Sequence, residues 1–138
     1  MINKLEINKD PLSNALKLIS GKWKIKILEK LSSRPIRFGK LKKNLKTITS
    51  QMLSKQLKEM ENDTLVKRKV INSNPITVEY SLTQFGNSSL PIIRSLIKWG
   101  SINKRKMSRV IEKDQEKAID LFNDEIRFKN LQRKNFYE

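Results

Sequence analysis

The chain of 138 residues contains no cysteine and no histidine. Their absence excludes disulfides, thiol switches, histidine-based metal sites and the Ser-His or Cys-His pairs of nucleophilic catalysis. An enzyme built from this sequence would have only carboxylates and lysines to work with, and no convergent acid-base pair is visible. No enzymatic activity, metal or cofactor is expected. The opening stretch MINKLEINKDP lacks the apolar segment of a signal peptide, and no run of about 18 apolar residues is present to span a bilayer. A cytoplasmic protein with no membrane attachment is expected. Internal repeats and low-complexity linkers are missing too, and the length suits one domain with a modest core.

Acidic residues are scarce: 14 Asp and Glu stand against 30 Lys and Arg, for a formal charge of +16 and a pI near 10.2. Such an excess calls for an acidic partner, nucleic acid or an anionic membrane surface. General drift of surface positions toward lysine would spread the excess evenly. Instead, residues 1–100 hold 20 basic and 7 acidic side chains, whereas residues 101–138 hold 10 and 7. Between Lys22 and Lys46 there are ten Lys or Arg and one acid, Glu29. The field belongs to the front part of the chain.

Asp10-Pro11 reads as a helix start, the carboxylate capping free amides and proline sitting where a missing N–H removes nothing. Leu12, Ala15, Leu16 and Ile19 supply an apolar stripe, with Gly21 as the stop. A second helix buries Trp23, Ile27, Leu28 and Leu31 and ends at SSRP, because Pro35 pushes its predecessor out of the helical region. A third, Arg37 to Leu45, places Phe38, Leu41 and Leu45 inward. Lys46 and Thr47 then connect tightly to a helix capped by Thr49. Leu53, Leu57 and Met60 share one face of that helix, while Gln51, Ser54, Lys55, Lys58 and Asn62 line the other. A solvated face would normally mix both signs of charge. This one holds amides, a hydroxyl and lysines, groups that read base edges and phosphates.

Two helices joined so briefly, the second polar on its outer side, form a helix-turn-helix signal. Leu65 to Ile71 and Ile76 to Leu82 follow as strands around the turn sequence NSNP, a basic hairpin directly after the candidate recognition helix. Three helices and a hairpin make a winged helix. Thr83 is expected to cap a helix reaching Trp99 and stopping at Gly100, with Pro91 bending it. Phe85, Ser89, Ile92, Leu96 and Trp99 make the stripe that one domain needs. Leu90, Ile93 and Ile97 widen it and predict a partner, most economically an identical subunit. NKRKMSR reads as a basic connection to a last helix near Lys113 to Phe128, with a fraying tail. Both tryptophans lie on apolar faces and are expected in core packing.

The segments DPLSNALKLISGKW, RPIRFGKLKKNL, ITSQMLSKQLKEMENDTLVKR, VEYSLTQFGNSSLPII and WG resemble, in order and spacing, the HxlR-type winged-helix transcriptional regulators, relatives of the MarR group. The resemblance covers Asp10 to Gly100. It implies a mainly α protein with a small β-hairpin and a winged domain over 10–100. The C-terminal helical extension, 101–138, is longer than the resemblance explains, and its expected association with the dimer rests on its apolar pattern alone. The resemblance also implies a homodimer on pseudo-palindromic promoter DNA, each subunit laying its recognition helix, Thr49 to Asn62, in a major groove and its wing, 65–82, near the minor groove. Many family members that sense electrophiles or oxidants carry Cys just before the proline matching Pro11. Here that position is Asp10, so thiol sensing is not implied.

Ser50, Gln51, Ser54, Lys55 and Lys58 are the expected base contacts, glutamine suiting adenine and lysine guanine. Arg37, Lys40, Lys42, Lys43, Lys46, Lys67, Arg68 and Lys69 suit the backbone, with Asn72 and Asn74 at the wing tip. Leu90, Ile93, Ile97, Ile119 and Phe122 are the expected dimer contacts. A non-specific architectural or RNA-binding protein would use the same charge, and a protein-binding winged module would use the same fold. The outward amides and hydroxyl speak for base reading. A small-molecule effector is compatible with this class, and no residue identifies one.

Overall fold

The computed structural model describes residues 10–137. Among them, ten elements follow in order: α1 (Pro11–Ile19), α2 (Lys24–Leu31), β1 (Ile36–Arg37), α3 (Phe38–Leu45), α4 (Ser50–Asn62), β2 (Val66–Ser73), β3 (Ile76–Leu82), α5 (Gln84–Ser88), α6 (Leu90–Ile102) and α7 (Lys104–Tyr137). The chain divides into two compact units, one running to Arg94 and the other starting at Ser95.

In the first unit, Asp10 caps α1. Its carboxylate accepts from the Ser13 hydroxyl at 2.6 Å and from the Leu12 amide at 3.1 Å. These bonds, Ser13's foremost, hold the Asp10 carboxyl below its usual range. Of the α1 stripe only Ile19 is buried. Leu12 and Leu16 are 66% and 50% exposed. Trp23 precedes α2 and is half-buried against the core, its ring lying under the ammonium groups of Lys22 and Lys26 at 4.8 and 5.4 Å from the centroid. The core is otherwise as the spacing requires: Ile27 and Leu28 from α2, Leu41 from α3, and Leu53, Leu57 and Met60 from α4 are wholly enclosed.

The sheet has three strands in the order β1-β3-β2, all antiparallel. The two-residue β1 has no periodicity to read in sequence. It forms because Pro35 favours extended backbone and Ile36 drops into the core opposite Tyr80. β2 is longer than expected and runs to Ser73, so the turn narrows to Asn74-Pro75, a cis bond.

The helix expected from Thr83 to Trp99 is two helices. Thr83 does cap the first, accepting from the Gly86 amide at 2.9 Å. The chain breaks at Ser89, whose hydroxyl donates to the Gly86 carbonyl at 2.7 Å. Pro91 falls in the first turn of α6, where no intrahelical bond is lost and no bend is needed. The face turned to the core is not the one expected, although Ile97 stays exposed as expected. Leu90 and Ile93, expected on the dimer face, are core residues, 7% and 2% exposed, while Phe85, Ile92, Leu96 and Trp99 lie outside. Trp99, expected in packing, is 62% exposed.

In the second unit α6 passes through Gly100 to Ile102, and α7 then runs for 34 residues. It includes the stretch read as a connection from Lys104 onward and the tail read as frayed as far as Tyr137, the last described residue. No Gly or Pro lies between Ser101 and Tyr137, and Lys, Arg, Glu and Gln are all strong helix formers. No helix among the described residues is long and apolar enough to cross a membrane.

Candidate nucleic-acid interface

α3 and α4 meet through a turn centred on Lys46. Its backbone has φ 64° and ψ −76°, and the Thr47 amide donates to the Leu45 carbonyl at 2.9 Å. This is a γ-turn with positive φ, a strained form for any residue with a side chain. Buried Ile48 anchors the segment that follows, and Thr49 caps α4 by accepting from the Met52 amide at 3.1 Å. Sequence spacing missed Ile48 because it belongs to no helical stripe.

The turn and the buried row Leu53, Leu57 and Met60 fix the roll of α4 about its axis. Ser50, Gln51, Ser54, Lys55, Lys58 and Asn62 are therefore all exposed. Glu59 is drawn aside to the Lys24 ammonium on α2, at 2.9 Å. That hydrogen bond, reinforced by the lysine's charge, holds the Glu59 carboxyl below its usual range. The pair removes an acid from the outward field and staples α4 to α2. Nothing in the local sequence marks it, since the partners are far apart along the chain.

On α3, Lys40 and Lys43 are exposed and Lys42 is half-buried. Arg37, Lys40 and Lys43 border an open groove of about 780 Å³ that also touches Asn44, Ile76, Thr77 and Val78. Three cations thus line the space between α3 and the wing. Residues opposite one another on neighbouring strands share a face of the sheet. Ile36, Tyr80 and Arg68 form one such row, and Arg37, Glu79 and Lys69 the next. Lys67 and Lys69 consequently project with Arg37, whereas Arg68 leaves from the other face. The three basic residues of β2 do not act as one group. At the wing tip, the Asn72 side chain accepts from the Asn74 amide at 3.3 Å and so helps to shape the turn.

A helical core, an outward polar helix held behind a tight turn, and a hairpin set beside them define a winged helix-turn-helix transcriptional regulator rather than an enzyme. The sequence model of the HxlR-like helix-turn-helix family matches residues 18–108, and the chain belongs to that family. The HTH-type transcriptional regulator BH0655 of Halalkalibacterium halodurans is 48% identical over 99 residues, 71% of this chain and 88% of that protein. YdzF of Bacillus subtilis, another HTH-type transcriptional regulator, is 44% identical over 91 residues, 65% and 84% of the two. Among solved structures, the redox regulator HypR in its reduced form is 37% identical with a TM-score of 0.66, covering 69% of this chain and 94% of that one. A MarR-family regulator of Porphyromonas gingivalis W83 is 35% identical with a TM-score of 0.67, covering 72% and 98%. Most of α7 lies beyond the family match.

Proposed function

We propose that this regulator binds specific double-stranded DNA in the cytoplasm as a homodimer on a pseudo-palindromic promoter site. The observation that carries the reading is the outward face of α4, where Gln51 and Ser54 stand among Lys55 and Lys58 with no acid between them. Ser50 and those four residues contact base edges in the major groove. Lys40, Lys42, Lys43 and Lys46 hold phosphates on one side. Arg37, Lys67 and Lys69 hold them from the wing, with Arg68 reaching from its other face and Asn72 and Asn74 entering near the minor groove. The winged domain over 10–100 does the reading, and the extension over 101–138 serves the dimer.

The dimer reading rests on apolar side chains that a lone subunit leaves in water: Ile92, Leu96 and Trp99 along one line of α6, with Ile97, Ile119 and Phe122 beyond. Leu90 and Ile93 leave that set. HypR is a redox regulator, and this chain has no thiol to be oxidised.

Genomic footprinting with the purified protein tests the reading. The expected result is a discrete motif with two-fold symmetry, its half-sites about one helical turn apart, roughly 34 Å. Uniform protection, with competition flat across sequences, would replace it with a non-specific architectural or RNA-binding role.

A further inference from the structure

We propose that α7 pairs with α7 of a second copy of this chain, antiparallel and staggered so that the two helices cross near Asp124. The proposal rests on the dimer reading above and assigns its second interface. From Ser108 to Lys134 every residue of α7 is exposed. Most of its apolar side chains are nevertheless ordered: at 100° per residue, Val110, Ile111, Ala118, Ile119, Leu121, Phe122, Ile126 and Phe128 fall within half the circumference, with Leu131 outside it. Leu121, Phe122 and Phe128 are 71%, 63% and 60% exposed. In proteins most helical stability comes from packing an amphipathic face, and covering this stripe would remove its apolar side chains from water.

Charge selects the cover and its direction. Residues 104–109 carry four basic side chains and no acid, 112–125 carry six acids and two lysines, and 127–134 carry four basic side chains and no acid. A parallel pair in register would stack acid on acid and base on base throughout. An antiparallel pair with flush ends would set the two basic ends together. Sliding the antiparallel pair until it crosses near Asp124 places Arg127 to Lys134 of one copy along Asp114 to Leu121 of the other, a stretch with three acids and one lysine. It also leaves the basic segment from Lys104 to Arg109 outside the overlap.

In that register Phe122 faces the partner's Ile126, twice by symmetry, and Asp114 faces the partner's Lys134. The acids at the crossing are already matched within each helix. Asp124 lies 4.0 Å from Arg127, and Glu125 lies 3.0 Å from Lys129. An anionic lipid surface fits less well, because Asp114 and Glu125 interrupt the apolar arc.

The absence of cysteine makes a direct test available. Gln115 and Arg133 are exposed and face one another across the proposed pair, whereas within one copy they lie about 27 Å apart, from 18 residues at a 1.5 Å rise. Full-length chains carrying Gln115→Cys and Arg133→Cys are produced separately and together, then oxidised mildly, with the mass in solution read by light scattering. The expected result is a disulfide-linked dimer when the two are combined and none from either alone. Each variant linking to itself would mean a parallel pair and overturn the register. No link in any combination from a chain that scatters as a dimer would mean that something else covers α7, its own winged domain or another protein, and would overturn the pairing alone. A monomer by scattering would remove the dimer reading itself.

Discussion

Gly86 of α5 lies directly against the carbonyl oxygen of Leu65, so that a Cβ added to Gly86 would come within 2.1 Å of that oxygen. The Leu65 carbonyl cannot easily swing away, since it accepts the Thr83 amide at 3.1 Å. The Thr83 hydroxyl meanwhile donates to the Thr64 carbonyl, tying the base of the wing to the end of α4. Gly86→Ala is expected to destabilise the winged domain by about 1 to 3 kcal/mol, the usual penalty of overpacking. Urea unfolding followed by circular dichroism checks it, and an unchanged midpoint would mean that the wing root yields freely.

Lys46 joins two properties that its replacement separates. Its positive φ is strained, and glycine at that position relieves about 1 kcal/mol of that strain. Lys46→Gly should therefore be more stable than the wild type while binding DNA more weakly, its salt slope smaller by about one unit because one phosphate goes unneutralised. Stability and affinity moving in the same direction would contradict one of the two assignments.

Gln51 and Lys43 should fail in different ways. Gln51→Ala is expected to lose about 1 to 3 kcal/mol on the cognate site and much less on scrambled DNA, because a base contact carries sequence information. Lys43→Ala should weaken both duplexes alike and lower the salt slope. Titrations at several salt concentrations separate the cases. An equal loss on both duplexes for Gln51→Ala would leave α4 as one more basic surface.

The exposures on α6 predict opposite outcomes for two leucines six residues apart. Leu96 is 43% exposed and Leu90 is 7% exposed. Leu96→Asp should yield a folded chain that dissociates toward monomer and binds operator weakly. Leu90→Ala should lose about 2 to 5 kcal/mol of stability yet remain dimeric while folded. Light scattering and thermal unfolding of both variants decide. A dimeric Leu96→Asp chain would move the interface elsewhere.

The Lys24 and Glu59 pair gives stability a pH dependence. A carboxyl held below its usual range contributes stability that is fully present above the unfolded-state value, about 4.3 for glutamate, and is lost as pH falls through the lower folded-state value. Wild type should therefore exceed Glu59→Gln in urea midpoint at neutral pH, and the difference should close in the acid range below about pH 4. A difference that persists at low pH would assign Glu59 another role.

Sequence alone settled what depends on neighbours along the chain. The caps at Asp10, Thr49 and Thr83, the buried row Leu53, Leu57 and Met60, and the outward set from Gln51 to Lys58 follow from local hydrogen bonding and a 3.6-residue period. The absence of cysteine, legible at once, already separated this chain from thiol sensing. Tertiary structure decided whatever depends on a partner distant in sequence. β1 exists because Ile36 meets Tyr80, Glu59 leaves the outward field because Lys24 reaches it, and Arg68 parts from Lys67 and Lys69 because strand register assigns faces. The break at Ser89 was hidden for a related reason: Leu90, Pro91, Ile92 and Ile93 fit one long helix as well as two short ones. Only the packing of Gly86 against Leu65, and of Leu90 and Ile93 into the core, selects the second. A helical period names the stripes on a helix, but which stripe faces inward is set by the domain it closes.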